Sequence, residues 1–378
     1  MEKIFKKALI IFSVIILFNC NTSNGNFNTK LIEIDIEEAI INDNSIKLSQ
    51  ITSKVDYVAL ETNDSCLLGS IEAIITQKYI IIISNMNNKG LYLFSLDGKF
   101  VKKIGKSGNG PGEYGNIGSV SFNENTEEIL ISTDNKEHII KFKYDNSYSK
   151  GIKLKSNVGF VYNNSKIYAH KPSCFFKGNS VDTNQLSIFN EEGKIINKFH
   201  PVDFAKTEYI DMFIEIPDFS IFNNNVFYFV PKEDIIFNIS ENNCKPYYNL
   251  LLGKYKFPKD YRWDYIGYAE SRSMDKAWIE RSFVIDAYIM LVVSQKGRRN
   301  IIVYDKTSKK TYHSLTDDID NISISYLNSV NNNKIVQCFE AVNLLNSEDK
   351  DKHSDKLKTV LKKVKETDNP ILRIITLK

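Results

Sequence analysis

The stretch GKSGNGPGEYG, at Gly105–Gly115, is the richest in glycine in the chain, and it also carries Lys106, Glu113 and Tyr114, whose side chains could do chemistry. Glycine-rich loops bind phosphate when they lead into a helix. A Walker A motif ending here would need glycine at position 100, which is Phe100, and a dinucleotide motif would need glycine where Glu113 stands. The strand pattern IGSVSF follows instead of a helix. We therefore predict a turn between two strands, in which glycine supplies the positive φ angles.

Arginine and tryptophan are concentrated further along the chain, between residues 261 and 299. Guanidinium groups bind anionic oxygens through two parallel hydrogen bonds, and tryptophan offers a large flat contact area. Together with two residues of the glycine-rich stretch, they predict a non-catalytic binding site for a small polar or anionic ligand, such as a glycan fragment. The predicted ligand-binding residues are Arg262, Trp263, Arg272, Arg281, Arg298, Arg299, Lys106 and Tyr114.

A metal-dependent enzyme of the lactonase or lyase kind is the alternative. It would use Glu113, Asp134, His138 and His170 to hold a divalent metal. The chain has five histidines and no HExxH, H-x-E or paired-cysteine motif, and it also lacks the G-x-S-x-G nucleophile motif. The main prediction therefore assigns no catalytic residue and no cofactor.

The elements that must position these side chains are short strands separated by Gly, Asn, Asp and Lys turns. They recur as strand, turn, strand, loop, strand, turn, strand, which predicts four-stranded antiparallel blades. Such a unit repeating every 40–50 residues or so is typical of a β-propeller. Six units are visible, and they begin with IEAIITQKYIIIIS, IGSVSFNENTEEILIS, VGFVYNNSKIYAH, FSIFNNNVFYFVP, SFVIDAYIMLVVS and SISYLNSVNNNKIVQCFE.

The ring has to close, because an open propeller would leave exposed strand edges. The strand ITSKVDYVAL precedes the first unit, and NPILRIITLK ends the chain. We predict that strands from the two termini pair. Between them, apolar residues in the insertion at about 347–366 recur with helical spacing, which predicts a short surface helix. A basic helix face that meets a membrane is the alternative for this insertion. The apolar positions are Leu357, Val360, Leu361 and Val364.

The N-terminus reads as an export signal. Three lysines precede an apolar run that is short for a membrane span, and Leu17 and Cys20 fit a lipobox. We predict a signal peptide at 1–19, a lipid on Cys20 that anchors the protein to a membrane, a tether and lead-in at 20–50, and the propeller at 51–378. The expected location is the cell envelope, with the outer membrane favoured and its face undecided; an uncleaved anchor is the alternative. A net charge of +3 argues against a nucleic-acid partner.

The remaining cysteines lie far apart in the sequence and form no CxxC pair. An exported protein could form disulfides, but this spacing favours isolated, mostly buried thiols. Their disulfide state stays open at this point. They are Cys66, Cys174, Cys244 and Cys338.

The segment GKFVKKIGKSGNGPGEYGNIGSVSFNENTEEILISTDNKEHIIKFK resembles an NHL-type repeat. The whole chain is similar to six-bladed β-propeller lipoproteins found widely in Bacteroidota, through its lipobox, its GPGEY stretch and its ending DNPILRIITLK. The resemblance implies an all-β, six-bladed fold in the cell envelope and no established activity. In such a fold the predicted ligand or metal site would lie at the mouth of the central channel. A scaffold that docks a protein partner is a further alternative.

Overall fold

The computed structural model describes residues 31–85, 88–108, 110, 112–133, 136–154, 159–171, 184–201, 217–231, 233–256, 275–324, 327, 329–331 and 333–378. For residues 136–138, 201, 329 and 331 the description is confined to the backbone. Within this part of the chain no helix is long and apolar enough to cross a membrane.

Short strands of apolar and β-branched residues make up most of the described chain. In chain order they are β1 (Ile32–Asp35), β2 (Ser45–Lys47), β3 (Thr52–Ala59), β4 (Ile71–Ile75), β5 (Tyr79–Ser84), β6 (Gly90–Ser95), β7 (Phe100–Ile104), β8 (Lys106–Ser107), β9 (Glu113–Tyr114), β10 (Ile117–Asn123), β11 (Glu128–Thr133), β12 (Lys136–Lys143), β13 (Tyr148–Lys153), β14 (Gly159–Asn163), β15 (Lys166–His170), β16 (Asn184–Asn190), β17 (Ile195–Pro201), β18 (Asp218–Phe222), β19 (Asn225–Phe229), β20 (Ile235–Ser240), β21 (Asn243–Leu251), β22 (Ala277–Val284), β23 (Tyr288–Gln295), β24 (Arg298–Asp305), β25 (Lys310–Tyr312), β26 (Ser314–Thr316), β27 (Ser329–Asn331), β28 (Lys334–Phe339) and β29 (Ile371–Leu377).

Six antiparallel sheets form a six-bladed propeller, which confirms the predicted fold. Blades 1 to 5 are β4–β7, β10–β13, β14–β17, β18–β21 and β22–β25, and blade 6 runs β27, β28, β29 and β3. The first strands of neighbouring blades contact one another: β10 contacts β14, and β18 contacts β22. The first strands therefore line the central channel, and the fourth strands form the outer rim.

The ring closes by pairing the two ends of the folded chain. β29 pairs antiparallel with β3, with Ile371 opposite Ala59 and Ile375 opposite Val55. The predicted closure is confirmed, and the N-terminal strand β3 supplies the outermost strand of blade 6. Side chains from neighbouring blades fill the spaces between the sheets, for example Ile81 of blade 1 with Ile129 and Ile140 of blade 2. These apolar interfaces bury most of the core and hold the blades in a ring.

Residues 31–50, which the sequence assigned to the tether and lead-in, pack on the rim of blades 4 and 5. β1 pairs in parallel with β21, and β2 pairs in parallel with β26. Helix α1 (Ile36–Asn42) lies between these strands, and its N-cap Asp35 accepts a hydrogen bond from the amide of Glu38 at 2.8 Å. Helix α2 (Leu48–Ile51) then leads into β3.

A buried ion-pair network holds the closing blade. The guanidinium of Arg373, on β29, bonds both carboxylate oxygens of Asp317 at 2.7 and 3.0 Å and one oxygen of Asp320 at 2.8 Å. All three side chains are at most 2% exposed. Asp320 also accepts hydrogen bonds from the hydroxyl of Tyr57 and from the amide and hydroxyl of Ser354. One cation thus joins β29, β3, the loop before β27 and the helical insertion.

Asn369 forms a second junction at the start of the same C-terminal strand. Its side-chain amide donates to the carbonyls of Glu61 and Cys66, each at 2.7 Å, and its side-chain oxygen accepts from the amide of Leu68 at 2.8 Å. Asn369 and Arg373 belong to the ending DNPILRIITLK, one of the three features behind the resemblance. The residues of this motif therefore help to close the ring.

The predicted surface helix is present as α4 (Asp355–Leu361), preceded by α3 (Ala341–Leu345). Ser354 caps α4 by accepting from the amide of Leu357, and Leu357 is fully buried against blade 6. Cys66, Cys244 and Cys338 form no disulfide. Burial raises the pKa of all three thiols, which agrees with the expected inert cysteines; Cys174 lies outside the described residues.

The glycine-rich stretch joins β7 of blade 1 to β10 of blade 2, as predicted. Gly105 and Gly112 have φ angles of 61° and 72°, a region that favours glycine. A Cβ on Gly105 would lie 2.6 Å from the ring of Tyr114 and 2.7 Å from that of Phe142. Glycine is required here for both conformation and close packing, and the stretch is a turn between blades.

Candidate functional site

One end of the propeller carries the connections between blades and between the second and third strands of each blade. We call it the long-loop face. The chain segments 172–183, 202–216 and 257–274 all join strand ends that lie on this face. The opposite end carries short turns such as those at 76–78 and 223–224. Because loops on a rigid scaffold carry most binding residues, a binding site is expected on the long-loop face.

Arg281 and Asp218 connect blades 4 and 5 beside the channel. The Nε of Arg281 donates to Asp218 Oδ1 at 2.7 Å, and the amide of Ser282 donates to Asp218 Oδ2 at 2.8 Å. Asp218 is buried and Arg281 is about one-third exposed, with its guanidinium 4.9 Å from the ring centroid of Phe283. Burial raises the pKa of Asp218, against the opposing effects of Arg281 and the Ser282 amide.

Glu280, the residue before Arg281, lies in a β-bulge of β22. The register of β22 against β23 shifts between Ile279 and Arg281, so Glu280 is the extra residue. Its carboxylate accepts hydrogen bonds from the hydroxyl of Ser294 and from Arg299 Nε, the latter at 2.8 Å. Bulges re-aim side chains and are common beside functional sites. Here the bulge directs a carboxylate towards the long-loop end of blade 5, where half of the Arg299 side chain remains exposed.

Glu72 is the acidic residue of the channel wall on blade 1. It lies on β4, between the buried residues Ile71 and Ala73, and its own side chain is exposed. Water reaches the carboxylate, although protein atoms surround it on most sides. This enclosure raises the pKa of Glu72, and the positive charge of Arg281 acts in the opposite direction. Charged groups from blades 1, 4 and 5 therefore lie within electrostatic range of one another at this end of the channel.

The other described members of the predicted ligand set lie in different surroundings. Arg298 is exposed at the start of β24, and Lys106 is exposed and paired with Glu113 at 2.9 Å. Tyr114 is 1% exposed; its hydroxyl donates to the Ile104 carbonyl at 2.6 Å and accepts from the Leu91 amide at 3.2 Å. Burial raises its pKa to about 12. Tyr114 thus packs beneath the turn, and its burial corrects the expectation of an exposed ligand contact.

Several predicted site residues lie outside the described residues. They include the lipidation site, three members of the ligand set, one metal-set carboxylate and one metal-set side chain. They are Cys20, Arg262, Trp263, Arg272, Asp134 and the side chain of His138.

The metal-set residues whose side chains are described have separate partners. Glu113 bonds Lys106 and the amide of Gly110, the latter at 2.8 Å. His170 ends β15, is fully buried and lies 2.7 Å, through Nδ1, from the hydroxyl of Tyr228 in blade 4. Among the described residues, no three His, Cys, Asp or Glu side chains are arranged to hold a metal ion.

The sequence analysis did not identify Glu72, Asp218 or Glu280 as candidate site residues. Glu72 could have been identified from the sequence, because a carboxylate in the middle of the apolar strand IEAII is not expected to be buried between two blades. Asp218 is the first residue of the strand DFSIF, and an acidic residue at that position is typical of a turn before a strand. The role of Glu280 depends on Ser294 and Arg299, which lie on the next two strands of the same blade, and no local sequence pattern indicates that pairing.

Structures of other proteins share the fold. One is a protein from Bacteroides fragilis NCTC 9343 described as exported, with 17% identity and a TM-score of 0.68, covering 92% of this chain and 99% of that one. A member of the DUF4221 family from Bacteroides vulgatus has 11% identity and a TM-score of 0.50, covering 87% and 97%. At these identities the likeness concerns the fold alone.

Virginiamycin B lyase from Staphylococcus aureus is more distant, with 10% identity and a TM-score of 0.43, covering 85% of this chain and 99% of the lyase. At that similarity it carries no inference about activity. No curated protein matches the chain in sequence. Residues 31–376 match a family described as a domain of unknown function, DUF4934.

Proposed function

The chain belongs to the DUF4934 family, and from that premise we propose that it is a non-catalytic propeller that binds a polar, hydroxyl-rich ligand, such as a glycan fragment, at the channel mouth. Two observations carry the proposal: Arg281 acts electrostatically on Glu72 across the channel, and the adjacent Glu280 pairs with the half-exposed Arg299 on the same blade. These side chains come from first and third strands of different blades. A rigid ring thus holds them where solvent and a small ligand have access.

The charge balance of this group favours hydroxyl groups over an anion. Arg281 and Arg299 are each paired with a carboxylate, so their positive charges are already compensated. Paired guanidinium and carboxylate groups present donors and acceptors side by side. A hydroxyl, which both donates and accepts, suits such a surface better than a carboxylate or phosphate, which only accepts.

Binding is favoured over the metal-dependent enzyme because the described members of the metal set, Glu113 and His170, sit in separate contacts. Each is already part of a local structural arrangement. A protein-docking role has no specific observation in its favour.

The binding test uses the propeller from residue 31 onwards with maltotriose, cellotriose and chitotriose, and with trigalacturonic acid as the charged comparison, by titration calorimetry. The variant is Glu72→Gln combined with Arg299→Met. Hydrogen bonds to charged groups contribute about 1.5–3 kcal/mol each. Losing two should weaken binding of the preferred neutral sugar roughly 100-fold, since each 1.4 kcal/mol or so is a factor of ten.

The matched control is Lys78→Met combined with Glu127→Gln. This pair, with its N–O distance of 2.9 Å, is exposed and lies on the opposite, short-turn end of the propeller. It should leave sugar affinity unchanged. Turnover of a lactone or glycoside that disappears on chelation, or in His138→Ala, would instead favour the enzyme alternative. Equal sugar binding by the Glu72/Arg299 variant would place the site elsewhere.

We also propose that the protein is exported and held in the cell envelope by a lipid on Cys20. The lipobox supports this, as does the fold shared with a Bacteroides protein described as exported. Lasting membrane attachment needs two or more acyl chains, which a lipidated N-terminal cysteine supplies. Mass spectrometry of the mature protein should find an acylated chain that starts at Cys20. A Cys20→Ser variant that still fractionates with membranes would contradict the proposal.

A further inference from the structure

His200 has an unfavourable backbone conformation. It lies near the end of β17, the outer strand of blade 3, with a φ angle of +60°. This left-handed region favours glycine, and Asn or Asp tolerate it better than histidine does. The next residue in the sequence is Pro201, and proline biases the residue before it towards extended conformations. Backbone strain of this kind is concentrated at binding and catalytic sites.

The surroundings of His200 form a small polar surface over aromatic rings. Its Nε2 lies 3.5 Å from Oε1 of Glu233, across the seam between blades 3 and 4, and each of the two side chains is 19% exposed. The His200 ring packs edge-on against Phe237, at 5.1 Å between centroids, and against Tyr228, at 5.9 Å. An accessible imidazole and carboxylate are thus held above two rings.

Beneath this surface lies His170, which is fully buried. Its Nδ1 is bonded to the Tyr228 hydroxyl, and its Nε2 has no hydrogen-bond partner. Burial, with a smaller contribution from His200, lowers the pKa of His170 to about 3, so its ring is uncharged at physiological pH. Buried polar atoms without a partner are uncommon in folded proteins. The seam therefore combines an unsatisfied nitrogen with a strained residue.

The seam and the channel mouth flank one strand. Asp218 and Phe219 are adjacent on β18: Asp218 bonds Arg281 of blade 5, whereas the ring of Phe219 packs against Tyr228 at 5.3 Å. The start of β18 therefore connects the two places through packed side chains.

We propose that His200 and Glu233 form a second subsite, which takes an uncharged, hydroxyl-bearing ring such as a pyranose unit. A carboxylate accepts hydrogen bonds from hydroxyl groups, and an imidazole can donate to or accept from them, while the buried rings of Tyr228 and Phe237 hold the imidazole in place from below. The backbone strain at His200 persists because it places the imidazole beside Glu233. This inference rests on the proposed function and names a further contact region of the same ligand.

The test uses the propeller from residue 31 onwards, with maltotriose, cellotriose and chitotriose as probes. His200→Gly removes the ligand-contacting ring and should weaken binding of the preferred trisaccharide at least tenfold. His200→Asn keeps a polar side chain that tolerates the same backbone and should lose less affinity than His200→Gly. The matched control is Lys309→Gly, because Lys309 has a φ of +58° in a turn at the other end of the propeller. It should leave sugar affinity unchanged.

Unchanged trisaccharide affinity in His200→Gly would overturn the subsite. Affinity in His200→Asn no higher than in His200→Gly would show that the polar side chain at this position makes no contact with the sugar and would also overturn the subsite. If His200→Gly binds normally while the Glu72/Arg299 variant does not, the proposed function stands and the subsite alone is wrong. If none of the three trisaccharides binds wild type, the proposed function is wrong for neutral sugars and the subsite falls with it.

Discussion

Replacing Arg373 with methionine is expected to lower the free energy of unfolding by about 3–5 kcal/mol, the usual cost of removing one partner from a buried ion pair. The two carboxylates it bonds, Asp317 and Asp320, would be left buried without their cation. Although burial alone would raise the pKa of Asp317, the bonds from Arg373 hold it below its usual value, so the aspartate is ionised in the native state. Urea denaturation of the propeller at neutral pH measures the loss.

Arg299→Met is the matched control for this experiment. Arg299 also bonds a carboxylate, that of Glu280 at 2.8 Å, but half of its side chain is exposed. An exposed pair of this kind contributes about 0–1 kcal/mol. A loss in Arg373→Met no larger than that in Arg299→Met would show that the network does not hold the ring closed.

The second large effect is a loss of stability on acidification that depends on His170. The folded-state pKa of His170 is lowered to about 3, mainly by burial, whereas an unfolded histidine titrates near 6.5. Below about pH 6.5 the unfolded chain therefore binds a proton that the folded chain cannot. Stability contributed by the neutral ring is complete above that pH and falls as the pH drops, by about 1.4 kcal/mol per pH unit.

Between pH 7.5 and pH 5 this single group should lower the free energy of unfolding by roughly 2 kcal/mol, rising to about 4–5 kcal/mol near pH 3. His170→Phe keeps an aromatic ring and removes the titration. The difference in stability between wild type and variant should be constant above pH 7.5 and should shift in favour of the variant below pH 6.5. Urea melts across this range measure it, and parallel curves for the two proteins would contradict the expectation.

Most of the fold could be predicted from the turn residues and from the pattern of short apolar strands. The strands of blade 1, IEAII, YIIIIS and GLYLFS, are short apolar runs separated by turn residues, and this local signal repeats around the ring. The closure of the ring could also be predicted, because the strand ITSKVDYVAL had no neighbouring strand in the sequence with which to pair. Helix α4 followed from the spacing of Leu357, Val360 and Leu361, since one face of a helix must be buried.

The geometry of the candidate site could be predicted only in part. The residue types of Arg281 and Arg299 suggested them as candidates, but the sequence did not indicate their pairing with Asp218 and Glu280. That pairing changes the expected ligand, because a compensated guanidinium no longer selects for an anion. For Tyr114 the sequence was misleading. A tyrosine in a glycine-rich turn is expected to be exposed, but Tyr114 is buried in the structure.

The sequence by itself determined the repeat, the number of blades and the turn at Gly105–Gly115, because these depend on contacts between residues close together in the chain. Only the tertiary structure decided which charges are paired and which side chains share a surface. Asp218 and Arg281 are 63 residues apart, and Tyr57 and Asp320 are 263 apart. Their energies depend on desolvation and on a few tenths of an ångström in distance. Those quantities exist only once the ring has closed and has placed distant strands side by side.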